Sequence, residues 1–153
     1  MKKFKKSIFI FRRDLRLIDN TTLIEALKLS EKVICVFIFD PKQIANNSYF
    51  SERAFNFMLE SLENLSQEIE KKKGKLYFFN DCPEQIIEHL FYKEKIDAVF
   101  FNKDYTPFSK IRDNKIIKRT KNLGISCINY DDALLNPPGD IKTGKDTPYK
   151  VFT

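Results

Sequence analysis

Five short apolar runs recur along the 153-residue chain, and each is rich in Phe, Ile or Val. Within a run, successive residues are apolar, whereas a strand with one exposed face would alternate apolar and polar residues. This pattern is typical of parallel strands that are buried on both faces. The runs lie at residues 8–11, 33–39, 76–79, 98–101 and 125–130.

Stretches with the period of an amphipathic helix separate the apolar runs. They cover residues 22–29, 51–72, 83–93 and 108–123. Residues that commonly cap helices precede three of them, namely Asp19 or Asn20, then Ser51, then Asp81. Strict alternation of strand and helix predicts an α/β fold of the Rossmann-like type. We expect an open five-stranded parallel sheet with helices on both faces and the strand order 3-2-1-4-5.

The composition narrows the cellular setting. Three cysteines, an odd number without a Cys-x-x-Cys pair, favour free thiols in a reducing compartment. The first apolar run is too short for a signal peptide, and no window approaches the length of a membrane span. We therefore expect an intracellular protein, cytoplasmic or, in a eukaryote, nuclear, with no membrane partner. The net charge of +6 is spread over several lysine-rich segments, which are expected to form solvated faces.

The most highly charged part of the chain follows directly after the first apolar run. Residues 11–21 read Phe-Arg-Arg-Asp-Leu-Arg-Leu-Ile-Asp-Asn-Thr. A guanidinium group satisfies its planar donors best against carboxylates or phosphates, so the neighbouring acids are the expected partners. We predict a structural ion-pair cluster formed by Arg12, Arg13, Asp14, Arg16 and Asp19. The alternative is a binding site for an anion or a cofactor at the carboxyl end of the first strand.

The predicted sheet would bind ligands beyond the carboxyl ends of its strands, in the loops at residues 12–20, 40–50 and 102–108. The chain has neither a Gly-x-Gly-x-x-Gly loop nor a Walker A loop, which argues against a standard dinucleotide or triphosphate cradle. His89 is the single histidine, so neither a Ser/His/Asp arrangement nor a metal site is expected. We therefore predict no catalytic and no metal-binding residue in this chain.

Several segments resemble the DNA photolyase and cryptochrome family. The arginine-rich segment, Phe-Arg-Arg-Asp-Leu-Arg-Leu with the following Asp-Asn, is similar to the opening of these proteins. Further segments that match in order are residues 37–41, 51–58, 102–108 with Arg112 and Asp113, and 148–153. The resemblance implies that residues 1–130 form the family's N-terminal α/β domain and residues 131–153 the start of an interdomain linker. The helical domain that carries FAD is expected to be absent from this chain.

The α/β domain of this family often holds an antenna chromophore, so the resemblance also implies a cofactor site. Arg53 and Asp104 match positions that contact a deazaflavin in members that use one. Thr106 stands where deazaflavin binders have a second acid, and Phe108 with Ser109 replaces the Asn-Glu pair of some folate-binding members. A deazaflavin or a flavin is therefore favoured over a folate.

The resemblance predicts the light-harvesting-cofactor domain of a DNA photolyase, which is not catalytic alone. The complete parent would be a deoxyribodipyrimidine photolyase, a light-driven carbon-carbon lyase that repairs pyrimidine dimers. The expected partner is the C-terminal helical domain, in cis or as a separate chain, and damaged DNA would be contacted only through that domain. Two alternatives are the same domain of a cryptochrome photoreceptor and a free-standing Rossmann-like module that binds a small molecule or nucleotide.

Overall fold

Strands and helices alternate along the chain in the order that the apolar pattern predicts. A computed structural model describes residues 2–44, 50–134, 136 and 138–147, so the matching segment at residues 148–153 lies outside the described part. The elements are β1 Phe4–Phe11, α1 Thr21–Leu29, β2 Ser30–Phe39, α2 Pro41–Ile44, α3 Glu52–Lys71, β3 Leu76–Asn80, α4 Pro83–Glu94, β4 Ala98–Asn102, α5 Pro107–Asn122 and β5 Ser126–Tyr130. The short helix α2 was not predicted.

The five strands form one parallel sheet in the order β3-β2-β1-β4-β5, which confirms the predicted fold class and strand order. β1 is central, and its residue Phe9 lies opposite Cys35 of β2 on one side and Phe100 of β4 on the other. The strand order reverses between β1 and β4, so the loops that follow these two strands are neighbours at the carboxyl edge of the sheet.

Side chains alternate between the two faces of the sheet, and each face has its own buried cluster. On one face, Phe9, Phe11 and Phe100 pack with residues of α1 and α3. On the other, Ile8 and Ile10 pack with residues of α4 and α5. Burying one such side chain contributes about 1.5–3 kcal/mol, so these two clusters supply much of the stability of the fold.

The helix termini follow the predicted capping residues at two of three positions. Asn20 accepts a hydrogen bond from the backbone N–H of Leu23, and Ser51 accepts one from Ala54. The prediction for Asp81 is wrong, because Cys82 occupies the N-cap position of α4 without a side-chain cap. The carboxylate of Asp81 instead accepts from the backbone N–H of Cys82.

No helix in the described ranges combines the length and the apolar character that crossing a membrane requires.

Candidate functional site

Arg12 leaves the end of β1 and joins three elements at the carboxyl edge of the sheet. Its guanidinium donates to the Asp113 carboxylate of α5 at 3.0 Å and to the Asn102 carbonyl at 3.1 Å, and it stacks 4.0 Å from the Phe101 ring centroid. The side chains of Arg12 and Asp113 are only 8% and 12% exposed. Burial, aided by the nearby charge of Arg112, lowers the pKa of Arg12 to about 10. Arg12 therefore remains charged at neutral pH and needs Asp113 as its counter-ion.

Asp14 is held by amides. Its side chain accepts from the backbone N–H of Arg12 at 2.8 Å and from the side-chain amides of Asn20 and Asn102. The amide of Asn102 also donates to Asn20 at 2.9 Å, and its oxygen accepts from the backbone N–H of Thr22. This buried network corrects the expectation that Asp14 pairs with a neighbouring guanidinium. From the sequence, Asn20 was predicted only as a cap of α1 and Asn102 only as the start of a matching segment, and neither was predicted to bind Asp14.

Arg16 pairs with two aspartates, one near in sequence and one distant. Its guanidinium lies 2.6 Å from Asp19 and 2.6 Å from Asp132. Asp132, whose side chain is 2% exposed, also accepts from the backbone N–H of Thr21 at 2.8 Å. Burial opposes ionisation of Asp132, but the hydrogen bonds from Thr21 and Arg16 together lower its pKa. A carboxylate is thereby fixed at the N-terminus of α1.

Arg13 and Asp104 form a more accessible pair. Nε of Arg13 lies 3.3 Å from the Asp104 carboxylate, and the Arg13 side chain is 77% exposed. Asp104 also accepts from the Ser109 hydroxyl at 2.8 Å and from the backbone N–H of Tyr105 at 2.7 Å. Burial raises the pKa of Asp104, but the hydrogen bond from Ser109 and the charge of Arg13 outweigh it, and the net pKa is lowered. Asp104 is thus a fixed carboxylate, whereas Arg13 is free to change partner.

Two adjoining cavities form a cleft next to this pair, across the carboxyl ends of β1 and β2. The cavity beside Asp104, here called the inner cavity, has a volume of 210 Å³, and the one beside Ser51, the outer cavity, has a volume of 380 Å³. The two cavities are direct neighbours, because both are lined by Arg13, Phe37, Asp40 and Met58. We call this space the β1–β2 cleft. Its walls combine apolar side chains with a few charged ones, the usual character of a small-molecule site.

The two residues predicted to contact a chromophore occupy different places. Asp104 lines the inner cavity of the β1–β2 cleft. Arg53 is exposed on the first turn of α3 and lines neither cavity, although Ser51 and Ala54 beside it line the outer one. Residues 45–49 of the predicted ligand loop lie outside the described ranges.

In the described part of the chain, no group of three or more His, Cys, Asp or Glu side chains is arranged to hold a metal ion. The carboxylates that converge at the carboxyl edge are instead bound by arginines, amides and backbone N–H groups.

Comparison with known proteins agrees with the fold. A family model described as DNA photolyase matches residues 7–153. The archaeal photolyase of Sulfolobus tokodaii is 46% identical, with a TM-score of 0.85, over 90% of this chain and 32% of that one. The deoxyribodipyrimidine photo-lyase of Buchnera aphidicola is 34% identical over 97% of this chain and 32% of its own length. Cryptochrome-2 of Gallus gallus is 34% identical over 82% of this chain and 21% of its own length.

The chain therefore spans a third or less of the length of these relatives. The family model, by contrast, extends over nearly the whole chain, from residue 7 to residue 153. The same α/β architecture is present in the structural neighbours. The chain belongs to the DNA photolyase family, and it corresponds to the N-terminal α/β domain of its members.

Proposed function

We propose that this chain is the light-harvesting-cofactor domain of a DNA photolyase and that it binds a flavin in the β1–β2 cleft. The observation that carries the proposal is the cleft itself, which lies at the carboxyl edge where sheets of this kind bind ligands. The Sulfolobus tokodaii photolyase, 46% identical to this chain, contains two FAD molecules that imply a novel light-harvesting cofactor in that protein.

The side chains of the cleft suit a flat ring with hydrogen-bonding edges. Phe37, Phe55 and Met58 provide apolar surface against which a ring system can pack. Arg13 can donate hydrogen bonds, and Asp104 can accept them. The outer cavity alone, at 380 Å³, falls within the range of about 300–1,000 Å³ that is usual for small-molecule sites.

The flavin supplies absorption of blue light, and the chain supplies the surface that binds and orients it. In this proposal residues 1–130 form the antenna domain and residues 131–153 begin the connection to a helical domain, in cis or on a separate chain. That domain would hold the FAD that repairs pyrimidine dimers and would contact the damaged DNA. Repair is preferred over signalling because the solved structure that is 46% identical to this chain is a photolyase.

Fluorescence titration of the purified chain tests the cleft directly. FMN, FAD, a deazaflavin and a folate are titrated separately, and we expect a flavin to bind most tightly. Met58→Trp should abolish binding because the larger side chain fills the cleft. Leu59→Trp is the matched control, since its position is 40% exposed on the same helix and outside the cleft lining.

The predicted contact residues are tested in the same assay. Asp104→Ala should weaken flavin binding by about 1.5–3 kcal/mol, the usual value of a hydrogen bond to a charged group. Arg53→Ala should have a smaller effect, because Arg53 lies outside the cleft lining. Unchanged flavin affinity in Met58→Trp would reject the cleft, and preferential folate binding would reject the flavin.

A further inference from the structure

The opposite edge of the sheet concentrates lysines from segments that are far apart in sequence. In a parallel α/β sheet, all strands begin and the connecting helices end at the same edge, here called the amino edge. The lysines at strand starts and at the ends of the connecting helices in the described ranges are Lys2, Lys3, Lys5, Lys6, Lys28, Lys32, Lys71, Lys72, Lys73, Lys75, Lys93, Lys95 and Lys121. The fold therefore gathers charges that the sequence shows as separate groups.

A groove of 370 Å³ opens at this edge between α4 and the face of β2 and β3. Ile34, Phe79 and Leu90 contribute its apolar surface, and Tyr77 contributes an aromatic ring that is 42% exposed. The buried cluster on this face centres on β1, β2 and β4, so the face of β3 is only partly covered. We call this feature the β3 groove.

Alternation along the strands places lysines beside the apolar floor. Lys32 shares a face of β2 with Ile34, and Lys75 lies directly before β3, two residues from Tyr77. Lys32 and Lys93 both line the groove, and Nζ of Lys75 lies 5.2 Å from the centroid of the Tyr77 ring. The rim of the β3 groove is thus basic, and its floor is apolar.

Two acids near this rim, Glu94 and Asp97, already have partners. Glu94, the one acid in the groove lining, pairs with Lys6 at 3.0 Å. The Asp97 carboxylate accepts from the backbone N–H groups of Lys5 and Lys6. Within the described ranges, no ion pair involves Lys32 or Lys93. Their charges are therefore available to an anionic ligand.

We propose that the amino edge binds single-stranded nucleic acid, with phosphates against Lys32 and Lys93 and one base in the β3 groove beside Tyr77. Proteins that bind single strands combine a positive surface that follows the backbone with aromatic side chains on which bases stack. A nucleotide carries a planar base close to a phosphate, which matches an apolar groove with a lysine rim. This site lies on the edge opposite the β1–β2 cleft and does not depend on the antenna proposal.

Fluorescence anisotropy with a labelled oligothymidylate of twelve residues, at low salt, measures the binding. The comparison ligands are an abasic strand of equal length and charge and a duplex of the same length. We expect the oligothymidylate to bind about tenfold more tightly than the abasic strand, because stacking adds to the phosphate contacts. Binding should weaken steeply with salt, with a slope of about −0.7 for each phosphate contacted.

Matched variants locate the site. Lys32→Gln combined with Lys93→Gln should weaken binding about tenfold and make the salt slope shallower by about 1.4, as two lost phosphate contacts require. Lys110→Gln combined with Lys118→Gln removes the same charge from exposed positions of α5 and should change affinity less than twofold. Tyr77→Ala should erase the preference over the abasic strand, whereas Tyr130→Ala at the end of β5 should keep it.

Each contrary result overturns the proposal. Equal losses in the two double-lysine variants would show that binding follows net charge alone. Equal affinity for the oligothymidylate and the abasic strand would show that no base binds in the β3 groove. Tighter binding of the duplex would reject a single strand, and equally effective competition by polyglutamate at the same charge concentration would indicate a general acidic partner. Thermal melting of each variant separates these results from unfolding.

Discussion

The charged residues at the two edges of the sheet differ in burial and in ion pairing. At the carboxyl edge, arginines and aspartates are paired and largely buried, as in the pair of Arg12 with Asp113. At the amino edge, lysines are mostly exposed, and the groove residues Lys32 and Lys93 have no ion pair in the described part of the chain. The difference shows that charge at one edge joins the strands and loops together, whereas charge at the other remains available to solvent or a ligand.

Helix direction explains part of this contrast. Helices begin at the carboxyl edge, where their N-termini favour carboxylates, and end at the amino edge, where their C-termini favour cations. The choice between arginine and lysine explains more. A planar guanidinium can satisfy several buried acceptors at once, whereas a lysine ammonium is strongly hydrated and stays in water. A substitution of a charged residue should therefore lower the free energy of unfolding more at the carboxyl edge than at the amino edge.

The largest effect is expected from the buried pair at the carboxyl edge. Asp113→Ala leaves the Arg12 guanidinium buried without its carboxylate, which typically costs about 3–5 kcal/mol. Urea unfolding monitored by circular dichroism measures the loss. A cost below about 1 kcal/mol would mean that Arg12 moves into solvent when Asp113 is removed.

A smaller loss is expected from the amide network around Asp14. Asp14→Ala removes the acceptor of two buried asparagine amides, Asn20 and Asn102, at a cost of about 1–3 kcal/mol. Asp19→Asn is the matched control, because this side chain is 76% exposed and Asn tolerates the positive φ of 54° at this position, so the loss should be well under about 1 kcal/mol. Equal losses in the two variants would contradict the network.

Stability at the carboxyl edge should also fall in acid. The folded pKa of Asp132 is lowered, so its contribution is present above the unfolded value of about 3.9 and is lost as the pH falls through the folded value. Asp132→Asn should therefore be less stable than the parent at pH 6, and this difference should shrink towards pH 3. Urea unfolding midpoints of both proteins between pH 6 and pH 3 measure this change. A stability difference that stays constant with pH would contradict the predicted role of the Asp132 carboxylate.

The smallest effect is expected at the amino edge. Lys75→Gln and Lys95→Gln change exposed residues without a buried partner, so each should alter the free energy of unfolding by at most about 0.5 kcal/mol. Thermal melting at low salt is the measurement. A loss of more than about 1 kcal/mol in either variant would show that lysines at this edge stabilise the fold and would erase the contrast between the edges.

The fold was largely predictable from the sequence, because burial on both faces makes each strand apolar throughout. The predicted strand beginnings were less accurate. β1 begins at Phe4 and β2 at Ser30, several residues before their apolar runs, because polar residues such as Lys5 and Lys32 extend the strands at the amino edge. Exposed polar residues are not part of an apolar run, so the run does not show that they belong to the strand.

Contacts of the site were predictable only where partners are close in sequence. Arg16 and Asp19 lie three residues apart, so their pairing could be predicted from the sequence spacing. Arg12 pairs with Asp113, which is 101 residues away, and local spacing carries no information about such a partner. The convergence of lysines at the amino edge was missed for the same reason, since only the topology brings residues 6, 32 and 93 together.

The carboxylate of Asp132 at the start of α1 has a consequence for ligand choice. In nucleotide-binding sheets of this type, a phosphate binds at the N-terminus of the helix that follows the first strand. Here the chain supplies its own anion at that position, tethered at an effective concentration of about millimolar or more. A dissolved nucleotide would have to displace an acid that cannot diffuse away. The commonest ligand position of the fold is thereby occupied by the chain itself, which leaves the β1–β2 cleft as the position proposed for a small molecule.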